Sequence, residues 1–93
     1  MKKTTITEGT RIYYTGDQAN EPGFGTASNY CSDNWGKIID VVIDDGRVFK
    51  KIFIAHISEQ YPDRGNRFVT LDAYNKSRRT MAQSLGWKYV DVQ

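Results

Sequence analysis

The stretch of this chain that most constrains its fold is residues 37–57, KIIDVVIDDGRVFKKIFIAHI. Two apolar runs rich in β-branched residues flank Asp45-Gly46, and this dipeptide between such runs is the strongest short-range signal for a β-hairpin. The alternation assigns one face of the hairpin to a core made of six side chains: Ile39, Val41, Ile43, Val48, Ile52 and Ile54. The sequence therefore predicts an antiparallel β core in the middle of the chain.

Two registers of the hairpin remain open, and they differ in the length of the turn. A two-residue turn pairs Val42 with Phe49, whereas a three-residue turn with Gly46 in the left-handed region pairs Val41 with Phe49. We expect the first register because it brings opposite charges together twice across the strands, Asp44 with Arg47 and Asp40 with Lys51. Lys50 interrupts the core face, so we expect a β-bulge or a rim position near it.

The segments around the hairpin are predicted from turn residues and apolar alternation. In the first of them Ile12 and Tyr14 share one face of a strand, and Tyr13 lies on the other. Five segments are predicted: a strand over 10–15, a loop over 16–25, a short strand over 25–30, a second loop over 31–36 and a last strand over 87–93. Residues 58–67 are polar and rich in turn residues, and a helix follows them.

The helix is predicted over residues 71–85. Thr70 suits the N-cap, Asp72 lies in the first turn, and Gly86 is the glycine expected just beyond the last turn. An apolar stripe at helical spacing is formed by Leu71, Tyr74, Met81, Ala82 and Leu85. We therefore expect the helix to pack on the sheet through this stripe.

The order of these elements predicts an α+β fold. It is a small, strongly bent antiparallel β-sheet or a partly open barrel of about five strands, with one helix in the C-terminal half. One long early loop and a tight later hairpin resemble the layout of the SH3-like barrels, a likeness of element order that assigns no functional residue. The 93 residues predict a single domain spanning 1–93, and we expect residues 1–8 to form a flexible N-terminal tail.

Composition excludes several classes of function. The formal net charge is only +2, so the chain permits nucleic acid as a partner without requiring it. The sequence has no phosphate-binding glycine motif, no metal-ligand spacing and no apolar run long enough for a membrane. We therefore expect no cofactor, no metal and no membrane contact. The first ten residues lack the apolar run of a signal peptide, which predicts a cytoplasmic protein.

Candidate catalytic residues are sparse. Cys31 is the single thiol and His56 the single imidazole, and nothing in the spacing pairs them, so we expect a structural role for His56. The sequence favours a non-enzymatic protein. A hydrolase that uses carboxylates alone remains an alternative, because paired carboxylates are recognised by geometry rather than by spacing.

The preferred function is that of a binding or accessory protein that engages a protein partner through aromatic side chains in loops. The candidate contact residues are Tyr13, Phe24, Tyr30, Trp35 and Arg78. Arg78 falls in the middle of the helix's apolar stripe, where it either reaches a carboxylate at the edge of the core or joins Tyr74 in a partner surface.

The alternative function is nucleic-acid binding by a small barrel, in which aromatic side chains stack on bases beside a basic patch. The candidate basic residues are Lys50, Lys51, Arg64, Arg67, Lys76 and Arg79. In either case we expect a monomer or a small homo-oligomer, the latter through an exposed strand edge or the helix stripe.

Overall fold

A curled six-stranded sheet with one α-helix against it makes up the described part of the chain. The computed structural model describes residues 6–34, 36–63 and 65–93. Its elements are β1 (Arg11–Tyr14), β2 (Gly23–Asp33), β3 (Gly36–Ile43), β4 (Val48–Phe53), β5 (Ile57–Ser58), β6 (Phe68–Thr70) and α1 (Leu71–Leu85). The predicted α+β fold is confirmed, with six strands rather than about five.

The strand order is β4-β3-β2-β1-β6-β5. All neighbours are antiparallel except β5 and β6, which run parallel. β4 and β6 have three strands between them in this order. Even so, the ring centroids of Phe49 in β4 and Phe68 in β6 lie 5.5 Å apart. Tyr14 of β1 contacts both rings, at 4.6 Å and 5.1 Å. The sheet is therefore curled so strongly that side chains of distant strands meet on its inner face. This agrees with the predicted strongly bent sheet.

The inner face of the sheet carries the main core. The buried side chains of this cluster are Ile6, Ile12, Tyr14, Ala27, Ile39, Val41, Ile43, Ile54, Ile57 and Phe68. Ile6 is 3% exposed, so the packed chain includes part of the tail expected over residues 1–8, whereas residues 1–5 lie outside the described residues. Burying side chains of this size stabilises the fold by about 1.5–3 kcal/mol each.

The central hairpin has a three-residue turn, so the preferred register is wrong next to the turn. Gly46 has φ +103°, and Val41 pairs with Phe49. Farther from the turn, Ile38 faces Phe53 as the two-residue turn requires, because the register shifts between Ile39 and Val41. The β-bulge expected near Lys50 supplies the extra residue that reconciles the two registers.

The three-residue turn also reassigns side chains that the alternation had placed. Val48 was expected in the core and is 48% exposed, while Phe49 packs against the core in its place. The second strand of the hairpin ends at Phe53, and Ile54–His56 form a single 3-10 turn. His56 is therefore an exposed turn residue rather than the end of a strand.

Asp40 holds two irregular positions of the sheet together. One of its carboxylate oxygens accepts the Lys51 backbone N–H at 3.0 Å, and the other accepts the Asn29 side-chain amide at 2.9 Å. Both partners have left-handed φ values, +58° for Lys51 and +53° for Asn29. Bonding to Asn29 first and to Lys51 second lowers the pKa of Asp40 below its ordinary value. The predicted pairing of Asp40 with Lys51 is thus a backbone contact.

β2 is longer than the sequence indicated. It covers Gly23–Asp33, which includes the end of the predicted early loop and the first half of the segment expected as a second loop. Its register with β3 shifts between Ser28 and Cys31, around Asn29. Such a shift breaks the alternation of side chains, so a short-range pattern underestimates the strand.

The helix forms where it was predicted. Thr70 caps its N-terminus, because the Thr70 hydroxyl accepts the Ala73 N–H at 3.2 Å. At the other end Gly86 has φ +73°, and its N–H together with that of Trp87 satisfies carbonyls of the last turn. No helix in the described part of the chain has the length and apolar character that crossing a membrane requires.

The segment after the helix is not the strand that was expected. Residues 87–93 form an irregular run that returns along the helix, where buried Asn75 bonds to it three times. The Asn75 side chain accepts the Tyr89 hydroxyl at 2.6 Å and the Val92 N–H at 2.9 Å, and it donates to the Val92 carbonyl at 2.9 Å. The residues of this tail alternate in polarity, but the N–H and carbonyl of Val92 bond to the Asn75 side chain instead of to a neighbouring strand.

Candidate functional site

Adjacent residues of β1 separate the two faces of the sheet. Tyr14 is 1% exposed on the inner face, and its hydroxyl donates to Asp17 at 2.7 Å. Tyr13 points to the opposite face, where its paired residue Val69 is fully buried beside the helix. The outer face beside α1 therefore has a small packing layer of its own, separate from the main core.

Four half-buried aromatic rings meet on this outer face and form what we term the aromatic cluster: Tyr13, Phe24, Tyr61 and Tyr74. The Tyr13 ring lies at the centre, with centroids 4.4 Å from Tyr74, 5.0 Å from Phe24 and 5.9 Å from Tyr61. Tyr74 also contacts Phe24 at 5.2 Å and Tyr61 at 5.6 Å. Strand, loop and helix each supply rings, so the cluster exists only in the folded chain.

Arg78 covers this cluster from the helix. Its guanidinium carbon lies 5.2 Å from the centroid of the Tyr74 ring, which is the geometry of a cation–π contact. Within the described ranges Arg78 forms no ion pair, whereas Arg11, Arg47 and Arg79 each bind a carboxylate. Of the two roles considered for Arg78, the structure thus shows the contact with Tyr74 and no carboxylate partner among the described residues.

The electrostatics of the cluster keep its polar groups in defined states. Burial, followed by the neighbouring Tyr61 and Tyr74, raises the pKa of Tyr13 above its ordinary value. Hydrogen bonding to Tyr74 is the largest cause that raises the pKa of Arg78. At neutral pH Tyr13 is therefore a neutral phenol that can donate a hydrogen bond, and Arg78 carries a fixed positive charge.

The exposed face of the helix continues the cluster beyond the sheet. Tyr74, Arg78, Met81 and Leu85 follow one another at intervals of four, three and four residues, and we term them the helical stripe. Met81 is 50% exposed and Leu85 is 53% exposed. The predicted apolar stripe was expected to pack on the sheet. Of its aliphatic residues only Leu71 and Ala82 are buried, so just part of the stripe packs there.

Two further apolar side chains are exposed after the helix: Trp87 at 68% and Val90 at 78%. The N–H of Trp87 donates to the Ala82 carbonyl at 2.7 Å, which holds the Trp87 backbone against the last helical turn. Exposed apolar side chains grouped at one end of a helix are uncommon on a surface that only faces water.

A groove of about 540 Å³ runs beside the stripe, between the helix and the segment before β6. Tyr61 of the aromatic cluster and Met81 of the stripe both line it, together with Pro62. Its polar rim includes Glu59 and Lys76. A depression of this kind next to exposed apolar side chains can accept a side chain from a partner.

The structure joins some of the predicted contact residues and separates others. Tyr13 and Arg78 lie together with Phe24, but Phe24 belongs to β2 and not to a loop. Tyr30 is 38% exposed on β2 and makes no ring contact with the cluster in the described chain. Trp35 lies outside the described residues. The surface is therefore built from strand and helix aromatics rather than from loops.

Sequence reasoning placed Tyr74 beside Arg78 in one of the two roles considered for that arginine, but it missed three residues of this surface: Tyr61, Met81 and Leu85. Met81 and Leu85 lie on the predicted helix stripe, where core packing was the simpler interpretation. Tyr61 lies in the polar segment 58–67, which has no periodicity, so no pattern could have assigned its direction.

The basic residues considered for nucleic acid do not form one continuous patch. Lys50 and Lys51 lie at the β4 bulge, Arg67 precedes β6, and Lys76 and Arg79 lie on the helix. Arg79 is engaged by Asp91 at 2.6 Å. Arg64 lies outside the described residues.

Other candidate chemistry is dispersed. Cys31 is exposed, and among the described residues no group of three or more His, Cys, Asp or Glu side chains could hold a metal ion. Glu59, Asp72 and Asp91 line one cleft of about 770 Å³ beside the start of the helix, and Arg79 binds Asp91. A hydrolase based on carboxylates stays a prediction.

The fold and the surface define a class: an α+β protein whose curled sheet carries one helix with an aromatic and apolar outer face. Comparison of the chain with protein-family models, with curated protein sequences and with solved structures finds no match to any of them. The resemblance to SH3-like barrels therefore stays a prediction. The function is inferred below from the geometry of the chain itself.

Proposed function

We propose that this chain is a non-enzymatic interaction module that binds a segment of another protein along the helical stripe and the adjoining groove. The observation that carries this function is the exposure of Met81 and Leu85, half of each side chain, in line with the cluster at Tyr74. Tyrosine, tryptophan and arginine are the residue types that dominate binding energy in protein interfaces. Here Tyr74, Arg78 and Trp87 accompany the exposed aliphatic side chains.

The charge of the surface defines the partner. Arg78 is a cation without a carboxylate among the described residues, and it lies between Tyr74 on one side and Met81 on the other. A bound segment that covers this stripe would exclude water from the guanidinium, so a carboxylate opposite it is required for tight binding. The partner is therefore a segment that places an aspartate or glutamate between apolar side chains.

A second copy of the chain fits this surface less well. A symmetric pairing centred on the stripe would bring Arg78 towards its own copy, and two guanidinium groups repel each other at a desolvated interface. The four stripe residues include no acidic side chain that could answer this charge. Charge complementarity thus favours an acidic partner over self-association.

The test is to pan a displayed library of random 16-residue peptides on the immobilised full chain. We expect enriched peptides with an aspartate or glutamate three or four residues from large apolar residues. The affinity of a synthetic copy of the most enriched peptide should fall at least tenfold in Arg78→Gln, and again in the double variant Met81→Gln with Leu85→Gln. Glutamine keeps helix propensity while removing the apolar surface.

A matched control is available at the far edge of the sheet. Val48 is 48% exposed, close to the exposure of Met81, and it belongs to β4 at the opposite edge of the sheet order. Val48→Thr should leave peptide affinity unchanged. A library that yields no enriched acidic–apolar pattern, or peptides whose affinity ignores Arg78→Gln and the double variant, would contradict this function. Concentration-dependent dimerisation that only the double variant abolishes would instead identify a second copy as the occupant.

A further inference from the structure

A second site lies where the curled sheet leaves an opening. Between β4 and the segment that leads into β6 there is a groove of about 380 Å³, which we term the mouth groove. Lys51, Phe53 and His56 line one side, and Asn66, Arg67 and Phe68 line the other. The volume is within the range of pockets that hold small organic ligands.

The mouth groove is lined by two basic side chains. These are Lys51 and Arg67, and no aspartate or glutamate is among the described residues that line the groove. Two carboxylates bond to the backbone of residues that line the groove: Asp40 accepts the Lys51 N–H, and Asp63 accepts the N–H groups of Gly65 and Asn66. The side chains of Lys51 and Arg67 are thus the charged groups that the lining itself presents to an anion.

The β4 bulge shapes this site. Lys51 has φ +58°, a conformation that is unfavourable for a side chain with a Cβ, and Asp40 holds it there. A bulge re-aims the side chains that follow it, and here it places Lys51 on the wall of the groove. Arg67 is positioned from the other side, because its guanidinium donates to the Gly16 carbonyl at 3.1 Å and keeps further N–H groups for a ligand.

An aromatic platform adjoins the cations. The Phe53 ring is 38% exposed, and its centroid lies 5.6 Å from that of His56 in an edge-to-face arrangement. An exposed ring beside basic side chains is the arrangement with which proteins stack a nucleobase while they neutralise its phosphate. Neither the aromatic cluster nor the helical stripe shares any residue with this groove.

We propose that the mouth groove binds a nucleotide unit, with the phosphate between Lys51 and Arg67 and the base against Phe53 and His56. The unit could belong to a single-stranded nucleic acid or be a free nucleotide, since both present the same phosphate and base. The site shares no residue with the helical stripe, so its test does not depend on the protein-binding function. Of the basic residues considered from the sequence, it uses Lys51 and Arg67 and leaves out Lys76 and Arg79.

The test is fluorescence anisotropy of the full chain with a labelled 12-residue oligouridylate, and with a labelled duplex for comparison. We expect the single strand to bind more tightly than the duplex and its affinity to fall with salt. Arg67→Gln should weaken binding about tenfold and reduce the salt slope by about one, while Arg67→Lys restores much of the affinity. Phe53→Leu should weaken binding without changing the salt slope.

The matched control is Lys76→Gln, which removes the same charge from the helix and should leave the affinity unchanged. Competition by uridine monophosphate identifies a free nucleotide as a sufficient ligand, and its failure to compete identifies the strand. Absence of binding at low salt, or equal losses in Arg67→Gln and Lys76→Gln, would overturn the site. Displacement by inorganic phosphate as effectively as by uridine monophosphate, with Phe53→Leu unchanged, would also overturn it, because the ring would then contribute nothing.

Discussion

Tyr13 and Tyr14 are neighbours in β1, and they show how differently the two faces of this sheet are built. Tyr14 is 1% exposed in the main core, and its hydroxyl donates a hydrogen bond to Asp17. Tyr13 is half-buried among three other rings, and a cation covers the helix ring next to it. The inner face is closed by the chain itself, whereas the outer face is left partly open.

This difference separates residues that hold the fold from residues that are available for binding. On the inner face most side chains are buried, and the rings of Tyr14, Phe49 and Phe68 pack together across the curl. On the outer face the helix covers Val69 but leaves Met81 and Leu85 half exposed. Substitutions on the first face should act on stability, and substitutions on the second should act on binding.

The largest expected effect is on the inner face. Ile39 is fully buried, and Ile39→Ala should lower the free energy of unfolding by about 2–5 kcal/mol, because it removes buried methyl groups and leaves a cavity. Val42→Ala changes a side chain of the same strand that is 37% exposed, and it should cost less than about 1 kcal/mol. Urea unfolding measures both. Equal losses in the two variants would erase the distinction between the faces.

The next effect concerns the tail that completes the outer face. Asn75→Ala removes three hydrogen bonds to Tyr89 and Val92, so it should lower stability by about 1–3 kcal/mol. Hydrogen exchange of residues 87–93 should accelerate at the same time. Asn75→Asp keeps the side-chain acceptor and loses the donor. Its free energy of unfolding should therefore lie between those of the natural chain and Asn75→Ala. An unchanged exchange rate in Asn75→Ala would show that the tail is held by other contacts.

The two neighbouring tyrosines give a closer comparison. Tyr14→Phe removes the donor that binds Asp17, whereas the Tyr13 hydroxyl has no hydrogen bond to a described residue. Tyr14→Phe should therefore lower the urea midpoint more than Tyr13→Phe does. The same substitution should raise the pKa of Asp17, because the Tyr14 hydroxyl is the largest cause that lowers it. The reverse order of midpoints would contradict the assignment of Tyr14 to the closed face.

Asp17 also predicts a dependence of stability on pH. Bonding to Tyr14 first, and then to the Ala19 and Asn20 N–H groups, lowers its pKa from 3.8 to about 2. A carboxyl with a depressed pKa in the folded state stabilises the fold fully above its unfolded pKa, and this contribution is lost as the pH falls through the folded pKa. The stability difference between the natural chain and Asp17→Asn should therefore be constant near neutral pH and disappear between about pH 4 and about pH 2. A difference that persists at about pH 2 would exclude this carboxylate as its source.

The smallest expected effect on stability is at Arg78. A cation–π contact at an exposed site contributes about 0.5–1 kcal/mol, so Arg78→Gln should lower the free energy of unfolding by no more than that. Arg78→Lys keeps the charge and serves as the control. A loss of more than about 2 kcal/mol would mean that Arg78 belongs to the fold, as a snorkelling side chain at the edge of a core would.

Much of the closed face could be predicted from sequence, because burial there follows local periodicity. The helix limits at Leu71 and Leu85 follow from Thr70 and Gly86, and Ile39 and Val41 are core residues in either hairpin register. Val48 was misplaced because a turn one residue longer moves it out of the core face. This is an error of register that begins at the turn and ends at the bulge near Lys50.

The open face was less predictable, because it depends on contacts between distant segments. Phe24 and Tyr13 meet only through the β1–β2 pairing, and Tyr61 reaches them from a segment without periodicity. The apolar stripe of the helix was predicted from its spacing. The spacing did not indicate that the sheet leaves Met81 and Leu85 uncovered. Exposure of a stripe is a property of the tertiary fold and not of helical spacing.

The separation of folding from binding is tested most directly by one paired measurement on the double variant Met81→Gln with Leu85→Gln. Its free energy of unfolding and its affinity for the peptide selected on the natural chain are measured side by side. We predict a change in stability of no more than about 1 kcal/mol and a loss of affinity of at least tenfold. A loss of stability above about 2 kcal/mol with unchanged affinity would show that the stripe is part of the core and not a binding surface.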